Sequence, residues 1–338
     1  MGTTSSFFGG GGGEVYLPHF TFLTSNSSWS PPYDGTAYIH VIGAGGNTSQ
    51  SWGGGAGAGG YSRKLVTLAT GTSWNFTVGA AATGQSATGN NSSATDGSSS
   101  LTANGGGGAS GQQNAGSGGT ASGGDVNYQG GSGGSRSGPN NGNGGGGAVN
   151  IAGLSTSDVS GGSVNCQNGP TFAGGGGVGG KAAEAYNNSN TSYVGYTGGG
   201  GSGGPSFRGS NGTWYTWPNN GHKSAIGGIA SGGKPDKVIG FDFIKEWGAG
   251  GGFYSTTAAN YSYATVLLPG VGGGGGPTFV NNSDTPAQNG GLFGGGGGAY
   301  LGGQGGLGGG GGGGWVHADA HYGKGGNGVI FVEYISRS

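Results

Sequence analysis

The chain is poor in most of what a soluble domain leans on. Among its 338 residues there is a single cysteine, Cys166, so no internal disulfide can form and the fold is independent of an oxidising compartment. Charged residues make up 7% of the chain and the net charge is -1. That leaves no basic footprint for nucleic acid and no polybasic patch for anionic lipid, so neither partner is expected. No apolar run is long enough to cross a bilayer, and the N-terminus lacks the basic region, apolar core and cleavage site of a signal peptide. Synthesis in a cytoplasm without membrane insertion is the expectation. With 11 prolines and no strict period of three, collagen is excluded. No segment shows helical periodicity, so almost no α-helix is expected.

Glycine is what the chain has in quantity: 98 residues, several times the usual share of roughly 7%. Gly272–Gly276, Gly294–Gly298 and Gly308–Gly314 are unbroken runs, and shorter clusters recur from Gly105 onward. Low-complexity disorder of this kind usually brings high net charge and few aromatics, whereas aromatics here reach 10%. Ordered glycine loses more backbone freedom than any other residue and has no side chain to pack, so its peptide groups must return that free energy by hydrogen bonding. A polyproline II helix has three residues per turn and no internal hydrogen bonds, so its peptide groups all point outward. Glycine alone lets such helices approach closely enough to bond to one another. The runs therefore predict a slab of polyglycine II rods, each about 19 Å long for six residues, with the intervening segments as loops at its ends.

Short segments rich in β-branched and aromatic residues lie at 19–24, 36–42, 61–68, 73–78 and 98–103 and read as strands bounded by turn residues. The segment 328–334 is the most strand-like of all and needs partners, which only the N-terminal strands supply. The predicted fold is mainly β: an antiparallel, jelly-roll-like sandwich over 19–103 completed by the C-terminal strand at 328–338, with a polyglycine II array and its aromatic loops over 104–327. Residues 1–18 form an N-terminal arm in which Phe7 and Phe8 are candidates for docking onto a partner, with a frayed terminus as the alternative.

Catalytic templates match only because glycine is abundant. Gly130-Gly131-Ser132-Gly133-Gly134 fits the nucleophile-elbow pattern without its strand-turn-helix context. Asp242 and Glu246 are the nearest approach to a carboxylate pair, and His317, Asp319 and His321 to a metal cluster. Met1-Gly2-Thr3-Thr4-Ser5-Ser6 satisfies the loose myristoylation template. None outweighs the ordinary reading of a polar loop or a chance match, so no enzyme activity, cofactor or metal is expected.

The loop aromatics are a stronger signal. Tyr193, Tyr196, Trp214, Tyr215, Trp217, Trp247, Tyr261, Tyr263, Trp315 and Tyr322 are concentrated in the inserts. Tyrosine and tryptophan give large contact area at low entropy cost and dominate binding loops. These ten are the candidate binding residues of the loops, with covering the slab ends as the alternative.

Trp29-Ser30-Pro31, Tyr38 to Gly46, Gly57 to Tyr61, Phe76 to Ala80 and Gly325 to Ile330 together resemble the glycine-rich domain of bacteriophage tail-fibre and other virion appendage proteins. The downstream runs with aromatic loops are similar to the polyglycine II sandwich of tail-fibre tip adhesins. The resemblance implies a receptor-binding protein on the virion surface whose loops meet a host-cell glycan or outer-membrane protein. It departs from that family in lacking an identifiable fibre-attachment domain, which leaves tail and capsid both open as its location. Low charge and exposed backbone edges favour a homo-oligomer, a trimer among the options. A structural capsid fibre or decoration protein is the alternative, and an ice-binding polyproline II slab the third reading.

Overall fold

The computed structural model describes residues 16–49, 53–111, 113–137, 142–166, 171–178, 289–299, 301–314 and 322–337, with short stretches at 185–187, 195–196, 215–216, 223–224, 254–255, 274–275, 278–279 and 287. It is mainly β, and its one helical turn among the described residues is a 3-10 turn at Thr156–Val159.

Two five-stranded sheets face each other. The first runs β1 (Tyr16–Leu23), the C-terminal strand Val329–Arg337, β3 (Gly35–Ile42), β4 (Tyr61–Leu68) and β9 (Val126–Tyr128). The second runs β2 (Ser27–Trp29), β5 (Trp74–Thr77), β6 (Ser92–Thr95), β7 (Ser100–Ala103) and β8 (Ala121–Ser122). All pairings in both sheets are antiparallel. The C-terminal strand is wedged between β1 and β3, with Val332 opposite both Thr21 and Ile39. The returning strand thus completes the N-terminal sandwich.

Alternation explains the packing. Ala37, Ile39 and Val41 of β3 turn toward the second sheet and join Trp74, Phe76, Leu101 and Ile330 in one core. Ile42 turns the other way and meets Phe331, Tyr61, Val149 and Phe293 in a second core, beneath the glycine-rich part of the chain. The first sheet is therefore buried on both faces along much of its length. This accounts for the near-continuous apolar run at the end of β3, a pattern that goes with strands covered on both sides.

At Ile42 the period changes from two to three. The N–H groups of Gly43 and Gly46 donate to Gly60 and Gly57 at 3.1 and 2.9 Å, those of Ala44 and Asn47 to Asn90 and Ala87 at 3.0 and 2.9 Å, and those of Gly45 and Thr48 to Gly326 and Gly323 at 2.9 and 3.0 Å. Successive residues thus bond to three different neighbours, and every third residue returns to the same one. That is the geometry of a helix with three residues per turn and no internal bonds. The rod at 53–60 carries it furthest. It donates to the rods at 131–134, 308–311 and 104–107, and accepts from those at 43–46, 116–119 and 144–147. Six neighbours surround it, as in hexagonal packing of cylinders. Both directions occur: Gly55 and Ala58 bond to Gly134 and Gly131 in antiparallel order, whereas Gly144 and Gly147 bond to Gly53 and Ala56 in parallel order.

These bonds redraw the expected domain limits. The array takes in 43–60, which connects β3 to β4, so it does not begin at 104. β8 and β9 fall within the span assigned to the array and yet close one edge of each sheet. Nor is the arm independent up to residue 18, because β1 begins at Tyr16. Pro18 lies within this strand, which is at the edge of its sheet, where a residue with no N–H to give to a ladder is accommodated.

Candidate functional site

The hydrogen-bond register assigns directions to the described rods. Gly43 follows β3, Gly60 precedes β4 and Gly328 precedes the C-terminal strand, so those ends lie against the sandwich. Counting outward, Thr48 bonds to Gly323, Gly55 to Gly134, Gly144 to Gly53, and Gly313 to Gly144. Residues 48, 53, 134, 144, 313 and 323 therefore lie together at the end of the slab away from the sandwich. The described backbone stops at Gly314 and resumes at Tyr322, beside Gly313 and Gly323, so both positions lie at that end.

Short polar side chains close the rods there. Buried Asn143 accepts the Gly53 N–H on its Oδ1 at 3.0 Å and donates from Nδ2 to the Ala299 carbonyl at 2.7 Å. A side-chain amide offers the same donor and acceptor as a peptide group, so Asn143 stands in for one where the glycine stops. Thr48 Oγ1 accepts the Gly323 N–H at 2.9 Å. Further along the same rod, Asn47 accepts from Gly325 at 2.8 Å and donates to Ala82 and Gly84 at 2.9 and 2.7 Å. A loop anchored in this way starts from fixed backbone.

Tyr322 is the one candidate receptor-binding residue whose side chain is described. It is half-buried, with the Lys324 ammonium 5.8 Å from its ring centroid. A partly open phenol beside a cation offers both a stacking face and hydrogen-bonding groups. Tyr196 and Tyr215 are placed only by their backbones, in the two-residue strands Gly195–Tyr196 and Tyr215–Thr216. The strand Lys223–Ser224 pairs with both, so those two tyrosines belong to one small sheet. Tyr193, Trp214, Trp217, Trp247, Tyr261, Tyr263 and Trp315 lie outside the described residues, as do Phe7, Phe8, Asp242, Glu246, His317, Asp319 and His321.

No protein-family model and no curated protein matches the chain. Its function therefore has to be argued from its own geometry.

The segment 130–134 that matches the nucleophile elbow is one rod of the array. Gly131 donates to Ala148 and Gly133 to Gly116, and the Ser132 carbonyl accepts from Gly161. Its backbone is committed on several sides. No helix among the described residues is long and apolar enough to cross a membrane.

Sequence reasoning passed over one polar cluster. His40 of β3 shares a 2.8 Å hydrogen bond between its Nδ1 and the Tyr61 hydroxyl, lies 3.7 Å from Glu333 through Nε2, and stacks on Phe331 with centroids 4.1 Å apart. Burial pulls the His40 pKa down to about 4, against the opposing hydrogen bond and charge of Glu333, and burial likewise pushes the Tyr61 phenol well up. His40 is 0% and Tyr61 1% exposed. The grouping has the residue types of an acid-base site, but its histidine and tyrosine are closed off from solvent, and it sits at the sandwich end of the array. The alternation Tyr38-Ile39-His40-Val41-Ile42 was the signal available, since it puts His40 on the face opposite the sandwich core.

Proposed function

We propose that the protein is a non-enzymatic virion surface adhesin in which a rigid glycine slab, based on a β-sandwich, holds aromatic loops against a host-cell glycan or outer-membrane protein. The observation that carries this reading is the register. Rods bonded on up to six sides leave the sandwich and end together, and Gly314 and Tyr322 lie at that far end. Loops fixed in their binding shape lose less entropy on contact, and a slab knitted by backbone hydrogen bonds does not depend on loop sequence. The loops are thereby free to differ in length and composition, as the inserts do. The sparse charge of the chain, 7% of residues, suits recognition by stacking and hydrogen bonding.

Immunogold labelling of the source particle with antibody against residues 206–223 locates the protein. Gold at tail tips supports the adhesin, and gold over the capsid favours the decoration fibre. Gold on no particle overturns both. Adsorption then separates adhesin from passive fibre: Trp315→Ser and Tyr322→Ser together reduce binding to host cells at least tenfold if the loops recognise a receptor, with far-UV circular dichroism unchanged. Full adsorption by that variant and by a deletion of 206–223 argues for a purely structural role.

A further inference from the structure

Among the described residues four large apolar side chains stand exposed, Phe20, Phe22, Tyr33 and Leu65, and three of them share one face. The register identifies it. Phe22 lies opposite Phe331 and stacks on it with centroids 5.5 Å apart, so it is on the side of the first sheet that carries the second core. Phe20, two residues earlier on β1, is on that same side. Phe20, Glu333, Tyr38 and Leu65 then form one row across β1, the C-terminal strand, β3 and β4. Phe331 is 0% exposed, whereas Phe22 beside it is 47%, Phe20 41% and Leu65 48%. The cover over this face therefore stops short of the β1 edge and of Leu65. Nearby charges are turned to local partners: Glu333 lies 3.7 Å from His40, and the Arg63 guanidinium sits 5.2 Å from the Tyr38 ring centroid. The exposed side chains of the row are apolar.

We infer that this face is the seat of the chain's own N-terminal segment, with Phe7 and Phe8 packed against Phe20, Phe22 and Leu65. Covalent connection is the first reason. β1 is the edge strand and the segment enters it at Tyr16, so Phe7 and Phe8 are tethered to the strand that carries two of the three exposed residues. Length is the second. Phe8 precedes Tyr16 by eight residues, and Gly9–Gly13 make up most of the connection. From Tyr16 to Phe20 and to Phe22 is about 13 and 20 Å at 3.3 Å per residue. A glycine-rich tether of eight residues has a root-mean-square span of about 16 Å, between those two distances. A tether matched to its span gives an effective concentration in the millimolar range, which a partner free in solution has to exceed to compete. Glycine also lets the chain reverse over the sheet without steric cost. Chemistry is the third reason. Residues 3–8 are Thr-Thr-Ser-Ser-Phe-Phe, with no charged side chain to desolvate and two rings to set against those of Phe20 and Phe22. An open apolar edge strand invites pairing with other chains, and covering it removes that hazard.

The test is a cysteine pair in the full chain, with Cys166→Ser to leave no other thiol. Phe8→Cys with Phe22→Cys is compared with Phe8→Cys with Asn75→Cys, since Asn75 is exposed on the outer side of the second sheet. Under mild oxidation the first pair is expected to close within one chain at least tenfold faster than the second, as read by peptide mapping. Equal rates overturn the proposal. So do bonds formed only between chains, which would give the face to a second copy. A measurement without added cysteines guards against a variant that misfolds. Phe7→Ser with Phe8→Ser is expected to raise the emission of the dye ANS at least threefold at unchanged far-UV circular dichroism, and adding Phe22→Ser and Leu65→Ser to return it to the wild-type level. No rise, or a rise that the two added substitutions leave in place, overturns the proposal.

Discussion

Gly55 and Gly145 stand so close in neighbouring rods that a Cβ added to Gly55 would fall on the Gly145 carbonyl oxygen, with the carbonyl carbon behind it. Ala56, the next residue, carries its Cβ at 0% exposure. Glycine is therefore required at the points of closest rod contact and is replaceable between them. Gly55→Ala forces two bonded backbones apart, and overpacking of this kind costs about 1–3 kcal/mol. Gly35→Ala is the control, since nothing lies within 4 Å of its added Cβ. Urea unfolding is expected to show a clear fall in midpoint for the first variant and no loss for the second.

Asn143 provides the next prediction. Asn143→Ala strands the Gly53 N–H and the Ala299 carbonyl in a buried place, and an unsatisfied buried group costs about 1–3 kcal/mol. The loss is local to the far end, so amide exchange at Gly53 and Gly144 accelerates more than exchange at Gly43 or Gly60, which lie against the sandwich. Uniform acceleration across the slab would show instead that the array opens as one unit.

Much of this architecture was legible in the sequence, because two different periods are written in it. Alternation marked β3 and β5, β-branched and aromatic composition marked β4 and the C-terminal strand, and glycine runs marked the rods. What escaped were elements too small or too bland to carry a period. Ser92-Ser93-Ala94-Thr95 is a strand because β5 and β7 flank it, not because its residues favour one. Ala121–Ser122 and Val126–Tyr128 are two- and three-residue strands set by the sheets they join. Segment 43–60 fell inside the span read as the sandwich, because only its partners, up to 281 residues away in sequence for Gly45 and Gly326, reveal it as the centre of the array. For the candidate site, sequence singled out Tyr322 but not the end of the slab at which it lies. That follows from rod direction, which only hydrogen-bond register supplies. The His40 cluster needed β4 and the C-terminal strand placed beside β3 before it existed at all.

The rod at 53–60 yields a prediction about dynamics. Gly55, Ala56, Gly57, Ala58, Gly59 and Gly60 each donate to another rod at 2.8 or 2.9 Å, and the six surrounding rods must part before solvent reaches them. Amide hydrogen exchange is expected to be slowest here, near the rate set by global unfolding. Gly84 and Gly97, in turns with φ of +86° and +90°, are expected to exchange orders of magnitude faster. Fast exchange throughout 53–60 would contradict a bonded central rod.

The His40 cluster makes the joint between sandwich and array sensitive to acid. His40 has a folded pKa of about 4 against an ordinary value of 6.5, burial being the main cause. Between those values the unfolded chain binds the proton and the folded chain does not, so stability falls as pH drops from 6.5 toward 4 and is fully present above 6.5. A shift of that size corresponds to at most about 3 kcal/mol at 1.36 kcal/mol per unit. Glu333, 3.7 Å away, limits the loss by favouring the protonated ring, and Arg63 opposes it. Asp34 works in a lower window. The Thr70 N–H and hydroxyl hold its carboxyl below the ordinary 3.8, so its contribution is present above that value and fades only beneath it. His40→Gln removes the titrating group while keeping a polar side chain. Denaturation midpoints between pH 4 and 6.5 are expected to slope steeply in the wild type and to flatten in the variant, whereas below pH 3.8 the two decline together. Parallel curves throughout the upper window would place the acid sensitivity somewhere other than His40.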